Sequence, residues 1–251
     1  MFANVSVGID ISGGSLRYHD SQVATLEGVN MHIPAQRWTC ILGRSGCGKS
    51  SLLRYLAGLL GGKVTWSGEL MIEPACDLNH QVAYMAQQDL LMPWLSVLDN
   101  VMLSTQFGDR ASADQQEKAL ALLDKVGLAE HAKALPQQLS GGMRQRVALV
   151  RTLLQDKPVV LMDEPFSALD AVTRYRLQNL ACELLADKTV VLITHDPQEA
   201  LRLAHQLYIM RGQPASAESL CLPSSSTPRT FDPECALLQQ TIIDRLEQDY
   251  A

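Results

Sequence analysis

The sequence predicts an α/β fold built on a mostly parallel, doubly wound sheet, and three features point to it. Two short apolar runs, residues 159–162 and 189–194, lack the polar alternation of a half-exposed strand and read as strands buried on both faces. The dipeptide Asp196-Pro197 directly after the second run begins a helix, with aspartate as N-cap and proline in the first turn. A glycine-rich segment, residues 43–48, links the strand-like stretch 38–42 to a helix-like stretch. Strands alternating with helices in one chain argue for parallel pairing.

The elements follow in order. Residues 5–42 are β-rich, with short apolar segments between turn residues. A helix is expected over 49–60, ended by Gly61-Gly62. Residues 95–135 read as helical, because Leu120, Leu122, Leu123, Val126 and Leu128 form a broken helical stripe, and this is the expected insertion. A further helix is expected over 141–154. Residues 213–233 are rich in Pro, Ser and Thr and read as a loop. The chain then ends in an amphipathic helix over 236–248, with Leu237, Leu238, Ile242 and Leu246 on one side.

Composition narrows the function. The chain has 251 residues, enough for one large α/β domain or a core with a helical insertion. Its formal charge of -6 argues against a general polyanion binder, so no nucleic-acid partner is expected. Cys40, Cys47, Cys76, Cys182, Cys221 and Cys235 form no CxxC pair, so no zinc site is expected and the thiols read as reduced, in a cytoplasmic protein. The first ten residues lack a basic, then apolar, leader pattern. No run of about 18 apolar residues occurs, so a transport role would need separate membrane subunits.

The chemistry begins at residues 43–50, GRSGCGKS, which match GxxxxGK[ST] between a strand and a helix. Gly43, Arg44, Ser45, Gly46, Cys47, Gly48, Lys49, Ser50 and the adjacent Ser51 are the candidate phosphate-binding residues. Glycines let the backbone curl so that its N–H groups face phosphate oxygens, and the helix that follows presents its positive end to the same anion. Lys49 supplies a point charge for the β and γ phosphates, and the Ser50 hydroxyl a ligand for Mg2+. Cys47 occupies a free position and reads as a tolerated small residue. Kinases, GTPases and ATPases share this loop. A second piece is Asp163-Glu164, two acids closing an apolar strand. Asp163 is a candidate Mg2+ ligand, and Glu164 a candidate general base for water. Two acids so close raise each other's pKa unless a cation lies between them. His195, after the next strand, can hydrogen-bond a γ-phosphate or serve as a surface or capping residue.

Leu139-Ser-Gly-Gly-Met143, twenty residues before the acid pair, supplies the resemblance: the chain resembles the ABC ATPase family, whose hallmark at this place is LSGGQ. The resemblance spans about residues 10–212. It implies a P-loop NTPase core with a mostly parallel sheet, an N-terminal antiparallel β region and an inserted helical subdomain. The implied boundaries are 5–212 for the ATPase domain, about 90–156 for the helical subdomain and 213–251 for a tail of open purpose. It further implies that Tyr18 stacks on adenine, although Trp38 or Tyr55 could substitute. Gln87 is the glutamine that meets metal and attacking water, the stretch ending in Asp170 is the loop at the subunit interface, and His195 is the switch histidine. Ser140, Gly141 and Gly142 open a helix that, in the family, closes on the nucleotide of a second copy. ATP and Mg2+ are the implied cofactors.

Pro93-Trp94 after Gln87, Met143-Arg-Gln-Arg146 and the short tail resemble the importer branch that handles nitrate, sulfonates, taurine and thiamine precursors. That branch implies permease subunits, an extracytoplasmic substrate-binding protein and a peripheral place on the cytoplasmic face of the inner membrane. Leu90, Leu91, Met92 and Trp94 would then offer contact surface to the permease or pack inside the insertion. An exporter ATPase and a non-transport ABC ATPase are the alternatives. Tandem ATPase domains or long coiled coils would favour the latter, and this chain shows neither.

Overall fold

The computed structural model describes residues 6–106 and 113–249. The predicted domain start at residue 5, the first half of the ten-residue segment read for a leader, residues 107–112 of the predicted insertion and the last two residues of the predicted tail lie outside these. The chain divides into two compact units. One comprises residues up to Val82, Pro158–Glu164 and the stretch from Leu185 onward, and the other Ala83–Lys157 and Pro165–Leu184.

In the first unit, β1 (Gly8–Tyr18), β2 (Leu26–Ile33) and, after β3 (Trp38–Gly43) and α1 (Lys49–Leu56), β4 (Val64–Glu73) are ordered. Strands β1, β2 and β4 form an antiparallel sheet in the order β2-β1-β4. β5 (Val82–Met85) leads into the second unit. The first unit's other strands are β6 (Val159–Asp163), β7 (Thr189–Ile193), β8 (Gln206–Arg211) and β9 (Ser216–Leu220). They run in the order β6-β7-β3-β8-β9, parallel except for the antiparallel β9. Every residue of β3, β6 and β7 is buried, as near-continuous apolar runs in a covered parallel sheet require.

The register of these strands places the site. Ile41 pairs with Ile193, and Ile193 with Asp163, so three strands reach one rung together. Gly43 follows two residues beyond that rung, Glu164 one and His195 two. Parallel pairing thus delivers the glycine loop, the acid pair and the histidine to one sheet edge, where ligands of open α/β sheets collect.

The second unit holds α2 (Val97–Val101), α3 (Leu103–Gln106), α4 (Ala113–Lys125), α5 (Gly141–Leu154) and α6 (Ala171–Leu184). α2 and α4 pack on α5. Leu123, Val126 and Leu128 of the predicted stripe are buried, whereas Leu120 is exposed and Ala119 takes the inward position. In the first unit α7 (Pro197–Leu203) starts as expected, with the Asp196 carboxylate accepting from the N–H groups of Gln198 and Glu199. α8 (Pro233–Gln248) follows, with Asp249 as its C-cap. Among the described residues no helix is long and apolar enough to cross a membrane.

Three local expectations change. α1 ends at Leu56 because Gly58 already takes the left-handed conformation: Leu59 N–H bonds to the Arg54 carbonyl and Gly58 N–H to that of Tyr55, a glycine C-cap three residues before Gly61. The stretch read as loop contains β9, whose polar sequence becomes a strand because β8 offers it an edge. α8 starts earlier, with Asp232 as N-cap to Cys235, and its buried side runs through Cys235 and Ile242 while Leu237 is exposed.

The loop before α8 is fixed by Arg229, which donates to the carbonyls of Leu201, Ala204 and Pro223. Nearby, His205 Nδ1 accepts from Trp38 N–H at 3.1 Å, which leaves its Nε2–H for Thr227 Oγ1 at 2.9 Å. Burial, with Arg37 and Arg229 nearby, lowers the His205 pKa. Folding therefore favours the neutral ring. Its contribution is fully present above the ordinary histidine pKa of about 6.5 and is lost as pH falls through the lower folded value. Thermal melts should show stability declining from pH 7.5 to 5.5, and His205→Gln should flatten that decline. A variant with an unchanged pH profile would remove His205 from this role.

Candidate functional site

The glycine loop leaves the end of β3 and enters α1 at Gly48, where a φ of 105° strains any side chain and a Cβ would lie 2.7 Å from Leu26 Cδ2. Lys49 is buried, and its ammonium donates to the carbonyls of Gly43 and Arg44, each at 2.7 Å. The cation predicted for phosphate is therefore held inside the loop by carbonyl oxygens. Ser50 and Ser51 lie in the first turn of α1, where backbone N–H groups lack helical partners. Tyr18, at the end of β1, reaches Ser51 through its hydroxyl at 3.0 Å. The two aromatic alternatives are committed elsewhere: Trp38 is core, and Tyr55 stacks on Trp66 with centroids 4.3 Å apart.

Asp163 ends β6, fully enclosed. Burial raises its pKa, and Glu164 adds in the same direction, while the Ser50 hydroxyl, Arg54 and Lys49 pull it back. Its Oδ2 is buried without a hydrogen-bond partner. Glu164 stands just outside with φ at 51°, a strained conformation for a residue with a side chain, fixed by its N–H on the Ile193 carbonyl at 2.9 Å. His195 Nδ1 lies 3.1 Å from Glu164 Oε2, and the imidazole is largely open to solvent. The structure thus brings Gly43–Ser51, Asp163, Glu164 and His195 together within the first unit.

Gln87, Ser140, Gly141, Gly142 and Asp170 belong to the second unit. The Ser140 hydroxyl caps α5 by accepting from Met143 N–H at 3.2 Å. A Cβ at Gly142 would lie 3.2 Å from the Ala168 carbonyl oxygen, a close approach that a glycine relieves. Asp170 caps α6 through Thr173 N–H at 3.0 Å, and this hydrogen bond lowers its pKa. Gln87, Gly141, Arg144, Ser167 and neighbouring residues line a cavity of about 420 Å³.

Several organisers of this region were missed. Arg144 bonds to Asp89 at 3.0 Å and to the Leu139 carbonyl, and Arg151 to the carbonyls of Asp89 and Leu90, so α5 grips the segment after Gln87. Asn100 is fully buried, accepts from Met92 N–H and donates to the carbonyls of Met92, Leu95 and Ser96. An uncharged polar residue among the apolar positions of a short helix is the available signal. This tie shapes the segment expected to offer contact surface: Leu91 is buried, Met92 half-buried, and Leu90 and Trp94 exposed by 55% and 72%.

Fold and phosphate loop define the class: an ATPase cassette of the P-loop type. Residues 26–167 match the ABC transporter family model, and the chain belongs to that family. An uncharacterized ABC transporter ATP-binding protein of Haemophilus influenzae is 44% identical over 88% of this chain and 91% of its own length. An aliphatic sulfonates import ATP-binding protein of Rhodococcus jostii is 39% identical over 96% and 94%. A taurine import ATP-binding protein of Rhizobium johnstonii is 43% identical over 76% and 74%. Among solved structures, the dimeric post-hydrolysis state of the ATP-binding cassette MJ0796, bound to ADP and Pi, superposes with TM-score 0.72 at 29% identity, over 85% of this chain and 99% of that one.

Replacing Asn100 by Leu strands buried backbone groups, each costing about 1–3 kcal/mol. Denaturant melts should show a loss of about 2–4 kcal/mol, with the Met92–Leu95 segment becoming protease-sensitive. A loss below 0.5 kcal/mol on the scale of surface substitutions would contradict the assignment.

Proposed function

We propose that this chain is the ATP-hydrolysing subunit of an importer, working as a pair of copies beneath a membrane permease. The observation that carries the reading is the convergence of Lys49, Asp163, Glu164 and His195 at one sheet edge. Lys49 leaves its two loop carbonyls to meet the β and γ phosphates of ATP, and the N–H groups of the loop and of α1 hold the remaining oxygens. Glu164 takes a proton from the attacking water. His195 orients that carboxylate and contacts the γ-phosphate. Tyr18 lies beside α1 to stack on the base.

The orphaned, buried Oδ2 of Asp163 next to Ser50 fits a divalent cation, and Asp163 and Ser50 would hold Mg2+. When bound, Mg2+ neutralises charge on the phosphates. The raised pKa of Asp163 suits such a site, because the cation supplies what keeps the carboxylate ionised.

The capped start of α5 at Ser140, with Gly141 and Gly142, is a second anion site, here assigned to the nucleotide of the partner copy. Asp170 is assigned to the same nucleotide site. ATP joins the two copies head to tail, and hydrolysis reopens them. Exposed Leu90 and Trp94 form the contact for the permease, since large apolar side chains are characteristic interface anchors. Importers named for sulfonates and taurine among the relatives support solutes of that kind, delivered by an extracytoplasmic binding protein, with this subunit on the cytoplasmic face of the inner membrane.

Glu164→Gln should lower ATP turnover by about 100-fold or more while leaving ATP binding intact, and gel filtration with ATP should show a trapped dimer. Turnover at the wild-type rate would remove Glu164 from the chemistry. In the parent cell, the same variant should abolish growth on taurine or an alkanesulfonate as sole sulfur source. Normal growth with unchanged uptake of both would place the ATPase in another branch.

A further inference from the structure

The end of α8 reaches the phosphate loop. The buried side of this helix runs through Cys235, Leu238, Ile242 and Leu246, and the next position at helical spacing is Asp249. An apolar residue would be expected there. Instead a carboxylate only 10% exposed turns inward. Its Oδ1 accepts from Gly212 N–H at 2.7 Å, and its Oδ2 is buried without a hydrogen-bond partner, 3.6 Å from Arg44 Nε. The Asp249 carbonyl accepts from Arg44 Nη1 at 2.9 Å. Arg44 is the second residue of the glycine loop, and its own carbonyl receives the Lys49 ammonium. The helix is fastened along its length as well: Glu218 of β9 accepts from Arg211 of β8 and from Arg245 of α8.

We propose that Asp249 is a positioning residue for the phosphate cradle, acting through Arg44. The proposal rests on residues 43–51 being that cradle. Three glycines make the loop cheap to curl but also costly to order, because each has much backbone freedom to lose when phosphate binds. The core holds the loop at its two ends, in β3 and α1. Between them, Arg44 is tied to α8 by its side chain and to Lys49 by its carbonyl. Cutting the first tie removes the hold of α8 on the Arg44 guanidinium and loosens the carbonyl that parks the lysine. Ordering then has to occur on binding, and ATP affinity falls. Glu164 and His195 are untouched, so turnover at saturation does not change.

The experiment uses the full chain and measures ATP affinity by calorimetry, together with KM, kcat and melting temperature, in wild type, Asp249→Ala, Asp249→Asn and Lys49→Ala. Asp249→Ala should raise Kd and KM for ATP by about 3- to 10-fold, the scale of one side chain's ordering, with kcat within twofold of wild type. Asparagine keeps an acceptor for Gly212 N–H and hence the turn that presents the carbonyl to Arg44, so Asp249→Asn should lie within about twofold of wild type. A merely structural role would lower the melting temperature and kcat without moving KM. Unchanged ATP affinity in Asp249→Ala, or a loss that asparagine does not restore, overturns the proposal. Wild-type affinity in Lys49→Ala would instead remove the cradle reading beneath it.

Discussion

Parallel hydrogen bonding between β3, β7 and β6 is the constraint on which the first unit depends. Parallel neighbours in fixed register must end on the same side. Three chain segments far apart in sequence are therefore delivered to one rung: residue 41, residue 163 and residue 193. What each strand carries beyond the rung becomes a shared site. The strands can hold that register only because they are apolar on both faces and fully enclosed, since a slip of one residue would leave every buried side chain misplaced. The geometry of the charged groups is thus set by groups that carry no charge.

Charge is handled by the same economy of partners. Lys49 is buried but satisfied by two carbonyls, so the loop can carry an enclosed cation before any phosphate arrives. Asp163 is the opposite case, a buried carboxylate with one oxygen unmatched and its pKa raised by burial. Glu164, one residue on, is held in the left-handed region and meets His195. Adjacent acids with different environments can take different roles, one toward a cation and one toward water.

Much of this was legible in the sequence because it rests on local rules. The buried strands, the glycine loop and the caps at Asp196 and Ser140 are each set by a few adjacent residues, and they stand where the pattern places them. The other elements depend on partners far along the chain. β9 is a strand only because β8 lies beside it, and Leu237 faces outward because α7 and β8 receive the side of α8 that carries Cys235 and Ile242. α1 is shorter than the apolar run suggests because Gly58, three residues before Gly61, already takes the left-handed conformation. In the second unit, the grip of Arg144 and Arg151 on residues 89 and 90, and the tie of Asn100, join polar groups with no fixed spacing in sequence. No periodicity announces such pairs.

On this reading the cation held on the loop carbonyls, Lys49, is the one that binds nucleotide phosphate. Calorimetric titration of the full chain with Mg-ATP, comparing wild type with Lys49→Ala, tests it most directly. The account predicts saturable binding by wild type and a loss of about 100-fold or more in Lys49→Ala, as expected for removal of a buried partner of a charged group. Equal affinity in the two proteins would contradict it, and would mean that Lys49 only braces the loop.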